Sequence, residues 1–188
     1  MRITSLLLLV LLSASLQGCF PVVAAGGVAG ALMAEDRRTS GAYVEDEAIE
    51  NKASNRINVQ YKDKVHVNVT SFNRNVLVSG EVPDEATKAA IGKMVAGIDN
   101  VRNVTNELAI SGPSSLTSRS SDVLITSNVK LRFVNNKKFS SDHVKVITEN
   151  GRVFLMGIVT RAEADAATEL ASTTGGVQHV VRLFEYLD

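Results

Sequence analysis

Apolar residues along this chain change their spacing in a fixed order, and that order occurs twice. Ile49, Ala53 and Ile57 recur every four residues, which predicts one face of a helix. Val65, Val67 and Val69 alternate, as do Val76 and Val78, predicting two strands. Pro83-Asp84 then opens an Ala-rich helix that Gly97 ends, and a last strand follows around 101–110. In the second copy Ile125, Val129 and Phe133 supply the helix face. Val144 and Val146 begin its strands, and Thr160 with Glu163 forms a capping box for its second helix. Gly175-Gly176 ends that helix before a strand around 177–187.

The copies align residue by residue. Val67/Val69 recur as Val144/Val146, and Val76-Leu77-Val78-Ser79-Gly80-Glu81-Val82 as Val153-Phe154-Leu155-Met156-Gly157-Ile158-Val159, both at an offset of 77. Val101/Val104 recur as Val177/Val180 at an offset of 76. Two copies of this length predict tandem small domains, because solenoids need three or more repeats. Each module reads as helix, strand, strand, helix, strand. The fold class is therefore α+β, with a three-stranded mixed sheet and both helices on one face. The last strand lies parallel to its neighbour through a right-handed crossover. Asn150-Gly151 is a strong hairpin signal and Asn73-Arg74 a weaker one. Gly80 and Gly157 fall inside equivalent strands, where glycine permits a bulge or a close backbone approach.

Ahead of the repeats, Arg2 and the apolar run Leu6–Leu12 have the anatomy of a secretory signal, far short of the ~20 residues that span a bilayer. Leu16-Gln17-Gly18-Cys19 follows, in the pattern of a bacterial lipobox, with Cys19 as the acylated residue. Cys19 is the chain's single cysteine, so acylation (palmitate among the acyl chains) accounts for an otherwise lone thiol. The domains predicted are a signal peptide at 1–18, an acylated tether at 19–44, a first module at 45–110, a linker at 111–117 and a second module at 118–188. Phe20 after the cysteine, in place of Asp, favours the outer membrane by resemblance to sorted lipoproteins.

Composition narrows the chemistry. The full chain is formally neutral, contains no Trp and has 5% aromatic residues, so it offers neither a field nor stacking platforms for nucleic acid. His66, His143 and His179 have no carboxylate or cysteine partner at ligand spacing along the chain, so neither metal nor other cofactor is predicted. No nucleophile–base pair, G-x-S-x-G, H-E-x-x-H or P-loop is present, and the chain reads as a non-enzyme.

The modules differ in charge. Residues 45–110 carry 8 basic and 10 acidic residues, and residues 118–188 carry 9 and 8. From Val123 to Ser141 there are Lys130, Arg132, Lys137 and Lys138 with no acid. Leu124 and Leu131 project roughly opposite the Ile125/Val129/Phe133 stripe, whereas the matching positions in the first module are Ala48 and Asn55. An apolar and basic helix of this kind reads as interfacial, with Leu124, Ser127, Asn128 and Leu131 toward a bilayer and Lys130 at the headgroups. Two other readings stand beside it: the leucines pack against the first module, or the cations are a solvated face.

The V-x-V, V-x-V/L-x-G-x-V, Ala-rich helix and V-x-x-V succession resembles the BON domain family. A lipobox followed by two such domains resembles dual-BON outer-membrane lipoproteins. That resemblance implies a monomeric, lipid-anchored protein on the periplasmic face of the outer membrane. It also implies binding to anionic phospholipid through the first helix of the second module, with a role in envelope integrity at division sites. The alternative is an adapter for outer-membrane assembly or cell-wall hydrolase regulation, using exposed strand edges to accept a partner.

Overall fold

The computed structural model describes residues 36–187. The predicted signal peptide and Cys19 lie outside the described residues.

Helix α1 (Ser40–Tyr61) begins inside the stretch assigned from sequence to the tether. Thr39 caps it, its hydroxyl accepting from the Ala42 N–H at 3.1 Å. The core stripe also starts earlier than its apolar pattern suggests: Ala42 and Asp46 are buried in line with Ile49, Ala53 and Ile57. A polar Asp interrupts the hydrophobic spacing, which hides the first two turns. Strands β1 (His66–Phe72) and β2 (Asn75–Val82) form an antiparallel hairpin. Helix α2 (Glu85–Ala96) follows, with the Asp84 carboxylate accepting from the Thr87 N–H. The last strand of this module is interrupted, as β3 (Asn103–Asn106) and β4 (Ala109–Ile110), both parallel to β2. The sheet thus counts four strands in a three-strand layout.

The second module repeats the plan. Helix α3 (Leu116–Asn135) starts within the predicted linker, capped by the Ser115 hydroxyl. Strands β5 (Val144–Glu149) and β6 (Arg152–Val159) pair antiparallel, helix α4 (Arg161–Ser172) carries the Thr160/Glu163 capping box, and β7 (His179–Tyr186) runs parallel to β6. Gly97 caps the end of α2 as expected, whereas α4 ends at Thr173, ahead of Gly175-Gly176.

Each helix pair covers one face of its sheet. Ile49, Ala53 and Ile57 pack with Val76, Val78, Ile91 and Val95; Ile125, Val129 and Phe133 pack with Val153, Leu155, Ala164 and Ala167. The opposite faces of the two sheets meet each other. Phe72 and Leu77 of the first module pack there with Phe154 and Met156 of the second, flanked by Ile147, Ile158, Val181 and Leu183. Strands β2 and β6 are therefore buried on both faces, which is why their sequences read as nearly continuous apolar runs. Polar contacts rim this junction. Lys145 Nζ lies 3.0 Å from Glu50 Oε1, Arg152 Nη2 lies 2.7 Å from Glu107 Oε2, and Asn73 and Asn75 donate to Glu185 at 2.8 and 2.7 Å.

Candidate membrane-facing helix and module junction

Because the modules dock sheet to sheet, the outer face of α3 is left without cover from the first module. Leu124 is 65% exposed and Leu131 59%. Neither packs in the junction, whose apolar members come from the strands. Three further exposed apolar residues join them: Leu116, Val123 and Val134. At about 100° per residue all five fall within roughly a third of the helix circumference. Ser127 and Asn128 lie exposed on the same face. The Ser127 hydroxyl donates to the Val123 carbonyl at 2.8 Å, so it adds no unmet polar demand to the stripe. Sequence reasoning named Leu124 and Leu131 but passed over Leu116, Val123 and Val134, although the 3.6-residue period would have placed them at the edge of the same stripe.

The four cations divide. Arg132 is absorbed by the fold: its Nη1 donates to the Leu170 carbonyl at 2.7 Å and the Thr174 hydroxyl at 2.9 Å, tying α3 to the end of α4. Lys138 pairs with Glu169 across 3.5 Å at the surface, a contact of little energetic weight. Lys130 and Lys137 are exposed, and Lys130 lines clefts on both sides where α3 borders the first module. On α1 of the first module, Ala48 and Asn55 are exposed at the positions matching Leu124 and Leu131. Val44 and Val59 are its large exposed aliphatics.

Two buried aspartates on the helices' inner faces hold the hairpins. Asp46 accepts from the N–H groups of Asn73 and Arg74 at 2.8 and 2.7 Å, and from the Ser71 hydroxyl at 2.6 Å. Asp122, its counterpart, accepts from Asn150 and Gly151 N–H at 2.8 and 2.9 Å. All four turn residues have positive φ, as a two-residue hairpin with strand-matched twist requires. Arg74 takes that conformation, at φ 66°, without glycine's freedom. Its amide's bond to Asp46 offsets the strain. Sequence reasoning missed both aspartates. Gly80 and Gly157 pair with Val67 and Val144. A Cβ at Gly80 would run into the His66 carbonyl, and one at Gly157 into the His143 carbonyl.

At the other end of the junction the sheets bring together groups that lie far apart in sequence. His66 and Glu81 are cross-strand partners on the face turned to the second module. Glu149 of β5 arrives opposite them, its Oε1 3.7 Å from His66 Nε2 and its Oε2 accepting from Asn68 Nδ2 at 2.9 Å. Burial pushes the Glu149 carboxyl above the ordinary glutamate range, with the nearby Glu81 and Asp122 carboxylates adding to the rise and Asn68 and His66 opposing it.

Residues 45–112 and 121–188 each match the BON domain. The chain belongs to the BON domain family. It is 39% identical over 175 residues to the outer membrane lipoprotein DolP of Haemophilus influenzae, covering 92% of this chain and 91% of that protein. It is 32% identical over 154 residues to the 21 kDa hemolysin of Actinobacillus pleuropneumoniae, covering 81% and 79%. Identity to osmotically-inducible protein Y of Escherichia coli is 28% over 147 residues, covering 74% and 72%. The C-terminal domain of CdsD, a structural protein of the type III secretion system of Chlamydia trachomatis, aligns at 16% identity with a TM-score of 0.30, over 76% of this chain and 67% of that one. The near-full-length likeness to an outer-membrane lipoprotein supports an outer-membrane lipoprotein with two BON domains. No helix among the described residues is long and apolar enough to cross a membrane.

Proposed function

We propose that this BON protein, anchored through acylated Cys19, binds anionic phospholipid with the outer face of α3 and supports envelope integrity at division sites. The observation that carries this reading is the exposed stripe of Leu116, Val123, Leu124, Leu131 and Val134, bordered by Lys130. A folded domain that turns five aliphatic side chains to one side has a surface suited to the interfacial region of a bilayer. Each leucine contributes about 1–2 kcal/mol if fully buried there, and less if half immersed. Each nearby cation adds about 1 kcal/mol against anionic headgroups. The carboxylates of the first helix and the single aliphatics on α1 make the first BON domain the weaker partner for such a surface. The protein acts as a binder and scaffold, with no catalytic step.

The test is flotation of the mature chain prepared without acylation at Cys19, so that no lipid anchor masks the contact, with phosphatidylglycerol-containing or purely phosphatidylcholine vesicles. Wild type should float with the anionic vesicles and lose affinity as salt rises. Leu124→Glu should abolish flotation with its melting curve unchanged. Ala48→Glu should bind like wild type. Equal loss from both substitutions, or indifference to headgroup together with retention of one specific protein partner, would overturn the lipid reading in favour of an adapter.

A further inference from the structure

We propose that His66, Glu81 and Glu149 form a divalent-cation site, suited to Zn²⁺, that closes only when the two BON domains dock. One nitrogen and two carboxylate oxygens from these side chains lie within 4.8 Å of one another. Imidazole nitrogen and carboxylate oxygen are both zinc ligands, and three protein donors with a fourth position left to water is the arrangement of open zinc sites. Tetrahedral coordination at ordinary bond lengths needs donors about 3.4 Å apart. His66 Nε2 and Glu149 Oε1 are already 3.7 Å apart, so modest side-chain rotation closes the set.

Burial separates this cluster from the acidic groups common on protein surfaces. Glu81 is 1% exposed and Glu149 8%, and the two carboxylates face each other across the junction. Two buried carboxylates this close are costly without a cation to neutralise them. Their remaining oxygen capacity is held by neutral donors that orient them. Asn150 Nδ2 and the Ser114 N–H donate to Glu81 at 2.5 and 3.2 Å, and Asn68 Nδ2 donates to Glu149. Partners of this second layer fix ligand carboxylates in metal sites. An entry path exists as well: His66 and Glu149 line a cleft beside α3, which they share with Ser127 and Lys130. His66 and Glu81 belong to the first domain and Glu149 to the second, so an ion here fastens one to the other.

The experiment uses the full mature chain in detergent, stripped with chelator and titrated with Zn²⁺ alone by calorimetry. One equivalent should bind per chain and raise the melting temperature. Outer-layer changes already cost ~10–100-fold in affinity, so loss of a direct ligand in His66→Ala or Glu149→Gln should weaken binding at least tenfold. His143→Ala, at the matching position of the other repeat, should leave binding unchanged. X-ray absorption on the wild-type zinc complex, which needs no variant to fold, should show one nitrogen among oxygen donors. Absence of saturable binding, binding that survives both substitutions, or two or more nitrogen ligands would each overturn the site.

Discussion

Among single residues, Gly80 and Gly157 show how a repeated identity can hide two different constraints. Both lack room for a Cβ, because the facing strand's carbonyl oxygen occupies its place. Gly80 in addition has φ 114°, a conformation L side chains avoid, whereas Gly157 has no such strain. Alanine at either position should lower the melting temperature, and Gly80→Ala should be the costlier by roughly 1 kcal/mol or more. Equal melting temperatures for the two variants would show that the backbone difference carries no energy. The need for glycine at both points was legible from their place inside a strand. The buried aspartates were not. An Asp in a helix is ordinarily a surface residue, and Asp46 and Asp122 earn their burial from turn amides that sequence spacing does not reveal.

At the scale of elements, α4 has a pH-dependent start. Hydrogen bonds from the Arg37 guanidinium hold the Glu163 carboxyl down to about 2, and the Thr160 N–H adds to the fall. The unfolded chain's glutamate has the ordinary value of 4.5, so between those limits the unfolded state binds more protons. The contribution is present above pH 4.5 and is lost as pH falls through about 2. Denaturant melts of wild type should therefore weaken steeply across that window, and Glu163→Gln should show a flatter acid limb. Identical pH profiles would remove Glu163 from the account. The helices and strands themselves were readable from period and caps. What period alone left out was the second side of β2 and β6. Val76/Val78 and Val153/Leu155 announce a core face, but Leu77, Phe154 and Met156 face a partner sheet more than 70 residues away along the chain.

For the whole molecule, the junction decides which surfaces remain for function. Its apolar centre is small, so removing one large member should be felt by both domains. Phe154→Ala leaves a cavity against Phe72, Leu77 and Met156 and should cost roughly 3–5 kcal/mol. Wild type should unfold in one transition, and the variant should separate into two or shift far down in temperature. A Phe154→Ala protein with an unchanged single transition would mean that this contact carries little of the coupling between the domains. That α3 rather than α1 faces outward with an apolar stripe was legible from Leu124, Leu131 and the missing acids. The gathering of His66, Glu81 and Glu149 was not, because no local spacing links residues brought together by two strands and a docking event.

The turns described above also differ in how much support they need. Asn150-Gly151 favours its reversal by itself, since both residues enter the left-handed region at low cost. The β5–β6 hairpin can thus close within microseconds of local search, as isolated hairpins do. Asn73-Arg74 lacks that freedom, and its turn holds once α1 delivers the Asp46 carboxylate to the two strained amides. The first hairpin therefore leans on its helix more heavily than the second, whose Asn-Gly turn Asp122 also holds. Two modules of one design therefore depend unequally on their helices. The C-terminal turn carries its reversal in its own residue types, whereas the N-terminal turn borrows it from the helix that supplies Asp46.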